Sequence, residues 1–392
     1  MKRLIDKYES KIVSQGLADP DDITLIGLDA EFTANRSLSE IHPELFRVFD
    51  RMNINTLLYA EPAEPYRSIL QQLSLHDRGC LVPSDCETRT FLHDIPVIPA
   101  LSSEAIVSVL SHRKAAIVGN TGIVSYGTVS PEQAFVSFSS VCFSTFVKFF
   151  TDVMYHLDDH AGGRAPKNYS LLDAYRTISE KVPSAFSGCG TVPASPPGDT
   201  TEVYRQLIGT GKELVRQRLV DSYFGNISYT FGDTIFISQT GSSMDELETC
   251  IDAVPLDGSS SSGITASSEL SAHISIYKKT CRRAIIHGHP KFTVIMSMSC
   301  RKQGCDMSTC YRSCKEERSV SGIPVVSGEI GTGPTGLVQT VPAAMVRERA
   351  VIVYGHGIFS AGEDSFRPAF EHLQAVEETS RKQYFTKIRA LI

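Results

Sequence analysis

The sequence predicts an α/β protein of two tandem sandwich domains, each a sheet flanked by helices. Three observations carry this. The chain has 392 residues, 42% of them apolar, long for a single core and ordinary for globular protein. Both halves mix apolar runs of strand length with longer helical patterns. Finally, a stretch in the first half recurs in the second: residues 117–135, IVGNTGIVSYGTVSPEQAF, align without gaps on residues 352–370, IVYGHGIFSAGEDSFRPAF, sharing Ile, Val, Gly, Ile, Ser, Gly, Ser, Ala and Phe.

From the N-terminus, MKRLIDKYES turns charged before any apolar stretch of signal-peptide length, so no targeting segment is expected and the cytoplasm is the expected compartment. Residues 39–62, SEIHPELFRVFDRMNINTLLYAEP, parallel residues 268–290, SELSAHISIYKKTCRRAIIHGHP. The apolar segment 134–154 has membrane-like hydropathy, but it carries Lys148, Asp152 and several Ser and Thr. A helix buried between domains is expected rather than a span. Residues 183–201 concentrate Pro, Gly, Ser and Thr and read as a linker. This divides the chain into domains 1–182 and 202–392. Helices are expected over 202–222 and 366–392.

A net charge of −6 and the lack of Lys/Arg runs leave no footprint for nucleic acid, so small molecules are the expected partners. Four cysteines crowd together at Cys300, Cys305, Cys310 and Cys314. Their spacing matches neither zinc ribbons nor iron–sulfur runs, so free thiols are expected over a second metal. Gly331, Gly333 and Gly336 formally match the dinucleotide fingerprint, but Pro334 stands where the phosphate-binding helix should begin, and no acidic residue follows at the required distance.

Chemistry concentrates in three histidines, His287 and His289 in IIHGHP and His356 in YGHG, each at the end of an apolar run. Residues two apart on a strand share a face, so His-x-His can present two imidazoles side by side while a second strand supplies the third. Three nitrogen ligands without a fourth match a catalytic zinc with an open position. Each histidine taken alone reads more readily as a satisfied polar residue at a strand end than as a ligand.

The ordered segments FGNISYTF, DTIFISQTGSSMDELE, ASSELSAHISIYKK, IIHGHP and YGHGIFSAGEDSFRPAF resemble class II aldolase/adducin domains, over about the last 190 residues. The resemblance implies mostly antiparallel central sheets in α/β/α sandwiches. It also implies zinc, or another divalent transition metal, on His287, His289 and His356, with Glu269 as catalytic acid/base. Phosphate-binding groups would be Gly225, Asn226, Thr240, Gly241, Ser267 and Ser268. Residue chemistry fits: Ser267 or Ser268 suits a helix N-cap with Glu269 in the first turn, and Gly225 and Gly241 suit turns where backbone N–H groups approach an anion. Asn226 and Thr240 read equally as ordinary turn and strand-end residues.

In the first half the metal ligands are missing. Thr121 aligns with His356, and either Leu58 and Ala60 or Tyr59 and Glu61 align with the histidine pair. Glu40 echoes Glu269 as a relic, and the GNIS segment has no clear counterpart. The implied activity is a zinc-dependent aldolase acting on a small hydroxy-carbonyl or sugar-phosphate compound, the metal stabilising the enediolate formed when the carbon–carbon bond breaks. Epimerase, dehydratase and decarboxylase chemistry share the same cradle, although the related ribulose-phosphate 4-epimerases carry Asp where this chain has Glu269. An adducin-like binding protein is the non-enzymatic alternative. Activity is expected to fall in mild acid as the histidines protonate. The family's rings of subunits imply a homo-oligomer, here two chains in a pseudo-fourfold ring. The family's further catalytic tyrosines cannot be placed: Tyr354 and Tyr384 are candidates by position only, and core or surface packing is the expected role of each.

Overall fold

A computed structural model describes residues 1–76, 79–164, 166, 168–183, 190–221, 223–259, 261–300, 302, 305, 307–314, 316–329 and 333–392. The chain forms two compact units, Met1–Pro183 and Ser184–Ile392.

The first unit runs α1 (Lys2–Ser14), β1 (Ala18–Leu28), β2 (Phe32–Ala34), α2 (Pro43–Phe49), β3 (Thr56–Pro62), α3 (Tyr66–His76), β4 (Cys80–Leu81), α4 (Cys86–Leu92) and β5 (Ile95–Ile98). It continues with α5 (Ser103–Leu110), β6 (Ala115–Val118), β7 (Gly122–Gly127), α6 (Pro131–Ala161) and α7 (Tyr169–Glu180). Its sheet has the order β2-β1-β3-β7-β6-β5-β4, antiparallel except for the β5–β6 pair. One apolar face, including Ile26, Leu57, Ala116 and Val124, packs with Leu45 and Val48 of α2 and Ile106 and Leu110 of α5.

Helix α6 contains the membrane-like segment and packs against β3, β6, β7, α1, α3, α4 and α7 of its own unit. Because neighbours surround it, phenylalanines at 135, 138, 143, 149 and 150 are all buried without a polar face. Proline at its first turn suits a helix start, where an N–H lacks a partner anyway.

The second unit comprises α8 (Thr200–Arg216), β8 (Asn226–Phe231), β9 (Thr234–Ser238), β10 (Ile251–Pro255), α9 (Leu270–Lys279), β11 (Ala284–Gly288) and α10 (Lys291–Ser297). Next come β12 (Ser319–Val320), β13 (Ile323–Val326), α11 (Leu337–Met345), β14 (Ala350–Val353), β15 (Gly357–Gly362) and α12 (Phe366–Leu391). The sheet order is β10-β9-β8-β11-β15-β14-β13-β12, antiparallel except for β13–β14. Helices α9 and α11 cover one face, while α12 lies along β11 and β15.

One expectation needs correction here. The helix expected over 202–222 stops at Arg216, because Arg218 adopts a positive φ of 55° and turns the chain. Leu219 thereby brings its carbonyl to the backbone N–H of His289, 3.0 Å away. Ser222 lies outside the described residues, as do residues 184–189 of the expected linker. Within the rest of that segment Val192 is buried, and Arg367 donates to the carbonyls of Val192 and Pro193.

The ladders also decide what the sequence left open in the first unit. Tyr59 pairs with Val124 as His287 pairs with Phe359, and residues 124 and 359 are equivalent in the repeated stretch. Tyr59 and Glu61 therefore occupy the register of His287 and His289. In strand β1, Thr24 faces Tyr59 as Asn226 faces His287.

The short helix after His289 is anchored from α12. Glu377 is buried and accepts from the backbone N–H groups of Phe292 and Thr293 at 2.9 and 2.7 Å and from the Thr293 hydroxyl at 2.8 Å. Burial raises its pKa, and these donors oppose the shift. Glu377→Ala would leave three buried donors without an acceptor, at about 1–3 kcal/mol each before relaxation. We expect roughly 3 kcal/mol lower stability in urea unfolding, with Glu377→Gln losing about half as much. Unchanged unfolding of the alanine variant would show that this anchor contributes nothing.

Candidate metal centre

Antiparallel pairing brings the start of β8, the end of β11 and the start of β15 to one end of the central strands, and the functional side chains gather there. His287 lies near the end of β11, His289 follows that strand, and His356 lies in the turn between β14 and β15. His289 Nε2 is 2.9 Å from His287 Nε2, which is 3.2 Å from His356 Nε2. All three rings are buried, at 1–2% exposure. Phe359 stacks on His287 with centroids 4.1 Å apart, and Phe224 stacks on His289 at 5.7 Å.

The donor set fits a metal ion. Nδ1–H of His287 donates to the carbonyl of Ile358 at 3.1 Å, which leaves Nε2 as a bare lone pair facing its neighbours. Lone pairs converging in a dry site repel unless a cation lies between them. Tetrahedral Zn–N bonds of about 2.0–2.1 Å put ligand nitrogens about 3.4 Å apart, close to the spacing here.

Glycines make this convergence possible. A Cβ at Gly357 would stand 2.4 Å from the Gly288 carbonyl and 3.0 Å from the His287 ring. Gly225 has a φ of 89°, and a Cβ there would meet the His287 carbonyl at 2.5 Å. Both residues are required by close backbone approach.

Glu269 joins the cluster, with Oε2 3.5 Å from His287 Nε2 and Oε1 3.5 Å from His356 Nε2. It is the N-cap residue of α9 rather than part of the first turn, and Ser267 Oγ accepts from its backbone N–H at 3.3 Å. The Glu269 side chain turns inward, where Oε2 accepts from Asn226 Nδ2 at 2.8 Å. Burial raises its pKa above the ordinary carboxylate range, opposed by His356 and the Asn226 hydrogen bond. A buried carboxyl with a raised pKa is suited to taking and returning a proton near neutrality.

The remaining site candidates divide into two groups. Asn226 and Ser267 are buried beside Glu269. Thr240, Gly241 and Ser268 form a more exposed rim, where Thr240 Oγ1 accepts from the Ser268 N–H at 3.1 Å and Gly241 turns with a φ of 69°. Asn226 has two polar partners in the interior, Glu269 and His273.

Burial holds the pKa of His287 to about 3, of His356 to about 4, and of His289 well below the ordinary imidazole value of 6.5. These three side chains then bind fewer protons in the folded protein than in the unfolded chain below about pH 6.5. Stability of the metal-free protein falls from there toward about pH 3–4, while the neutral ligand form persists through mild acid.

Elsewhere, Cys300 and Cys314 are partly exposed, Cys305 is exposed and Cys310 is buried. Among the described residues, His287, His289 and His356 are the one group of three or more metal-ligating side chains whose ligand atoms all lie within 4.8 Å of one another. Gly331 lies outside the described residues, and Gly336 caps α11, whose interior carries Pro342. Tyr384 is fully buried against Phe292 and Phe385, and the Arg318 guanidinium lies 4.8 Å from the Tyr354 ring centre. In the first unit, the Tyr59 ring fills the space beside Gly122, where a Cβ would meet it at 2.6 Å. Glu61 lies 3.9 Å from Arg67, which pairs with Asp22.

Residues 205–384 match the family model described as Class II Aldolase and Adducin N-terminal domain. The second unit belongs to the class II aldolase/adducin family. An L-fuculose phosphate aldolase of Methanococcus maripaludis is 29% identical over 164 residues, 41% of this chain and 84% of that protein. A 3-oxo-tetronate 4-phosphate decarboxylase of Pectobacterium atrosepticum is 26% identical over 181 residues, 45% of this chain and 81% of that protein. Among solved structures, L-fuculose-1-phosphate aldolase from Thermus thermophilus matches with 23% identity and a TM-score of 0.38, covering 47% of this chain and 95% of that one.

Sequence reasoning missed the interior of this aldolase-family site. His273, Ser228 and Tyr277 lie behind Asn226, and Phe359 lies under His287. The available signal was spacing: residues 269, 273 and 277 follow one helix face, and 226 and 228 one strand face.

Proposed function

We propose that the second unit is a zinc-dependent lyase that makes or breaks a carbon–carbon bond in a small hydroxy-carbonyl or sugar-phosphate compound. The observation that carries this reading is the convergence of His287, His289 and His356, with the two Glu269 oxygens each 3.5 Å from an imidazole nitrogen. When bound, zinc supplies positive charge against a substrate's carbonyl and hydroxyl oxygens. Glu269 takes a proton from the substrate hydroxyl in the cleavage direction and returns it to the new carbon centre. Asn226 holds that carboxylate in place, and the buried surroundings exclude water. The exposed rim of Thr240, Gly241 and Ser268 offers backbone and hydroxyl donors to a substrate phosphate.

The first unit we read as a duplicated copy without the metal site, because Tyr59, Glu61 and Thr121 stand where the second unit has three imidazoles. A decarboxylase reading is supported by the Pectobacterium relative, and the same test separates the two. Zinc-loaded and chelator-stripped protein would be assayed for aldehyde release from fuculose phosphate and other phosphorylated and free ketoses, and for carbon dioxide release from 3-oxo-tetronate 4-phosphate. Metal-dependent aldehyde release is expected. Carbon dioxide alone would favour decarboxylation, and full zinc occupancy without turnover of any substrate would oppose the enzymatic reading.

A further inference from the structure

Behind Glu269 runs a buried chain of polar groups. Glu269 Oε2 meets Asn226 Nδ2 at 2.8 Å, Asn226 Oδ1 meets His273 Nε2 at 2.6 Å, His273 Nδ1 meets Ser228 Oγ at 2.6 Å, and Ser228 Oγ meets Tyr277 OH at 2.7 Å. None of the five residues is more than 8% exposed. Helix and strand periodicity build the arrangement: Glu269, His273 and Tyr277 are spaced four apart along α9 and its cap, and Asn226 and Ser228 are two apart on β8.

The donors can be assigned by elimination. An ionised carboxylate only accepts, so the Asn226 amide must turn its NH₂ to Glu269 and its oxygen to His273. His273 Nε2 must then carry the proton, leaving Nδ1 bare to accept from the Ser228 hydroxyl. The Ser228 oxygen in turn accepts from Tyr277. Every donor points toward Glu269. Burial holds the His273 pKa to about 3, in keeping with a neutral ring.

We propose that His273, fixed as the Nε2–H tautomer by Ser228 and Tyr277, is a positioning residue that locks the Asn226 amide so that it donates to Glu269. This rests on the reading of Glu269 as the group that moves the proton. The chain orients and does not conduct, because the Asn226 amide interrupts any relay of protons. Without the His273 N–H, the Asn226 oxygen loses its buried partner, and the amide can flip to set an oxygen against the Glu269 carboxylate.

The test has two arms on the full-length, zinc-loaded protein. In ¹⁵N imidazole NMR, with His273→Gln assigning the resonance, His273 is expected to carry its proton on Nε2 and none on Nδ1. An Nδ1–H tautomer, or an imidazolium at neutral pH, would overturn the proposal. In kinetics, His273→Leu is expected to lower kcat roughly 10–100-fold, the scale of an outer-shell partner, with KM and zinc stoichiometry unchanged. His273→Gln, which can donate to Asn226 and accept from Ser228, is expected to recover most of the rate. A leucine variant with undiminished kcat would also overturn it, and if that variant does not fold, the wild-type tautomer still decides. The tautomer is read without turnover. Failure of the lyase reading, seen as an inactive wild-type protein, is therefore distinct from failure of this one.

Discussion

His289→Ala is expected to abolish stoichiometric zinc binding and reduce turnover to background, while leaving the second unit folded. His289 sits between Phe224 and the other two imidazoles and is buried, so its removal leaves two nitrogens facing a dry gap. Two imidazoles hold a divalent ion far less tightly than three, and the loss should exceed the roughly 10–100-fold typical of an outer-shell partner. The variant also relieves the burial of a neutral imidazole, which destabilises the metal-free protein in acid. Metal-free His289→Ala should therefore lose less stability than the metal-free parent between about pH 6.5 and pH 4. Metal analysis of dialysed protein, thermal unfolding across that range and turnover at saturating substrate make the check. Retention of both zinc and turnover would remove the metal centre from the mechanism.

How far this site could be read from the sequence depended on whether the relevant spacing was local. His287 and His289 were legible because a strand's period of two puts them on one face, and their nitrogens lie 2.9 Å apart. Glu269 had no such signal. An acidic residue after two serines reads as a helix start, and only the resemblance to a family separated it from one. Its partner Asn226 is 43 positions away, joined to it by the packing of α9 over β8. His273 escaped for the same reason, as a histidine on a buried helix face that carries no local mark of its tautomer.

Register in the first unit was undecided for a different reason. Sliding β3 by one residue exchanges its two faces, and both TLLYA alternatives mix apolar and polar side chains. The decision comes from a neighbouring strand, through the Tyr59–Val124 pairing. For helix α6, Lys148 and Asp152, which form an i,i+4 ion pair at 2.9 Å, argued against a membrane span, and the repeat argued for a buried helix. What covers it could not be read, because that requires knowing where α1, α3, α4 and α7 pack.

Glu269→Gln separates proton transfer from metal binding. The amide keeps the size of the carboxyl and an oxygen able to accept from Asn226, so the chain behind it and the three imidazoles stay in place. It removes the group that exchanges a proton. General acid–base groups typically contribute about 10²–10⁴-fold, and a fall in kcat within that range is expected, with zinc stoichiometry unchanged and KM little altered. The stability change has a sign as well. Burial raises the Glu269 pKa, so the folded state holds its proton to higher pH than the unfolded chain, and the carboxyl's contribution is lost as pH rises through the folded value. In metal-free protein the glutamine variant should therefore gain stability relative to the parent as pH rises above the ordinary carboxylate range. In zinc-loaded protein the order should reverse, because the negative charge then faces a cation. A glutamine variant with parental kcat would assign the proton to another group, and one that lost zinc along with activity would make Glu269 a ligand rather than a base.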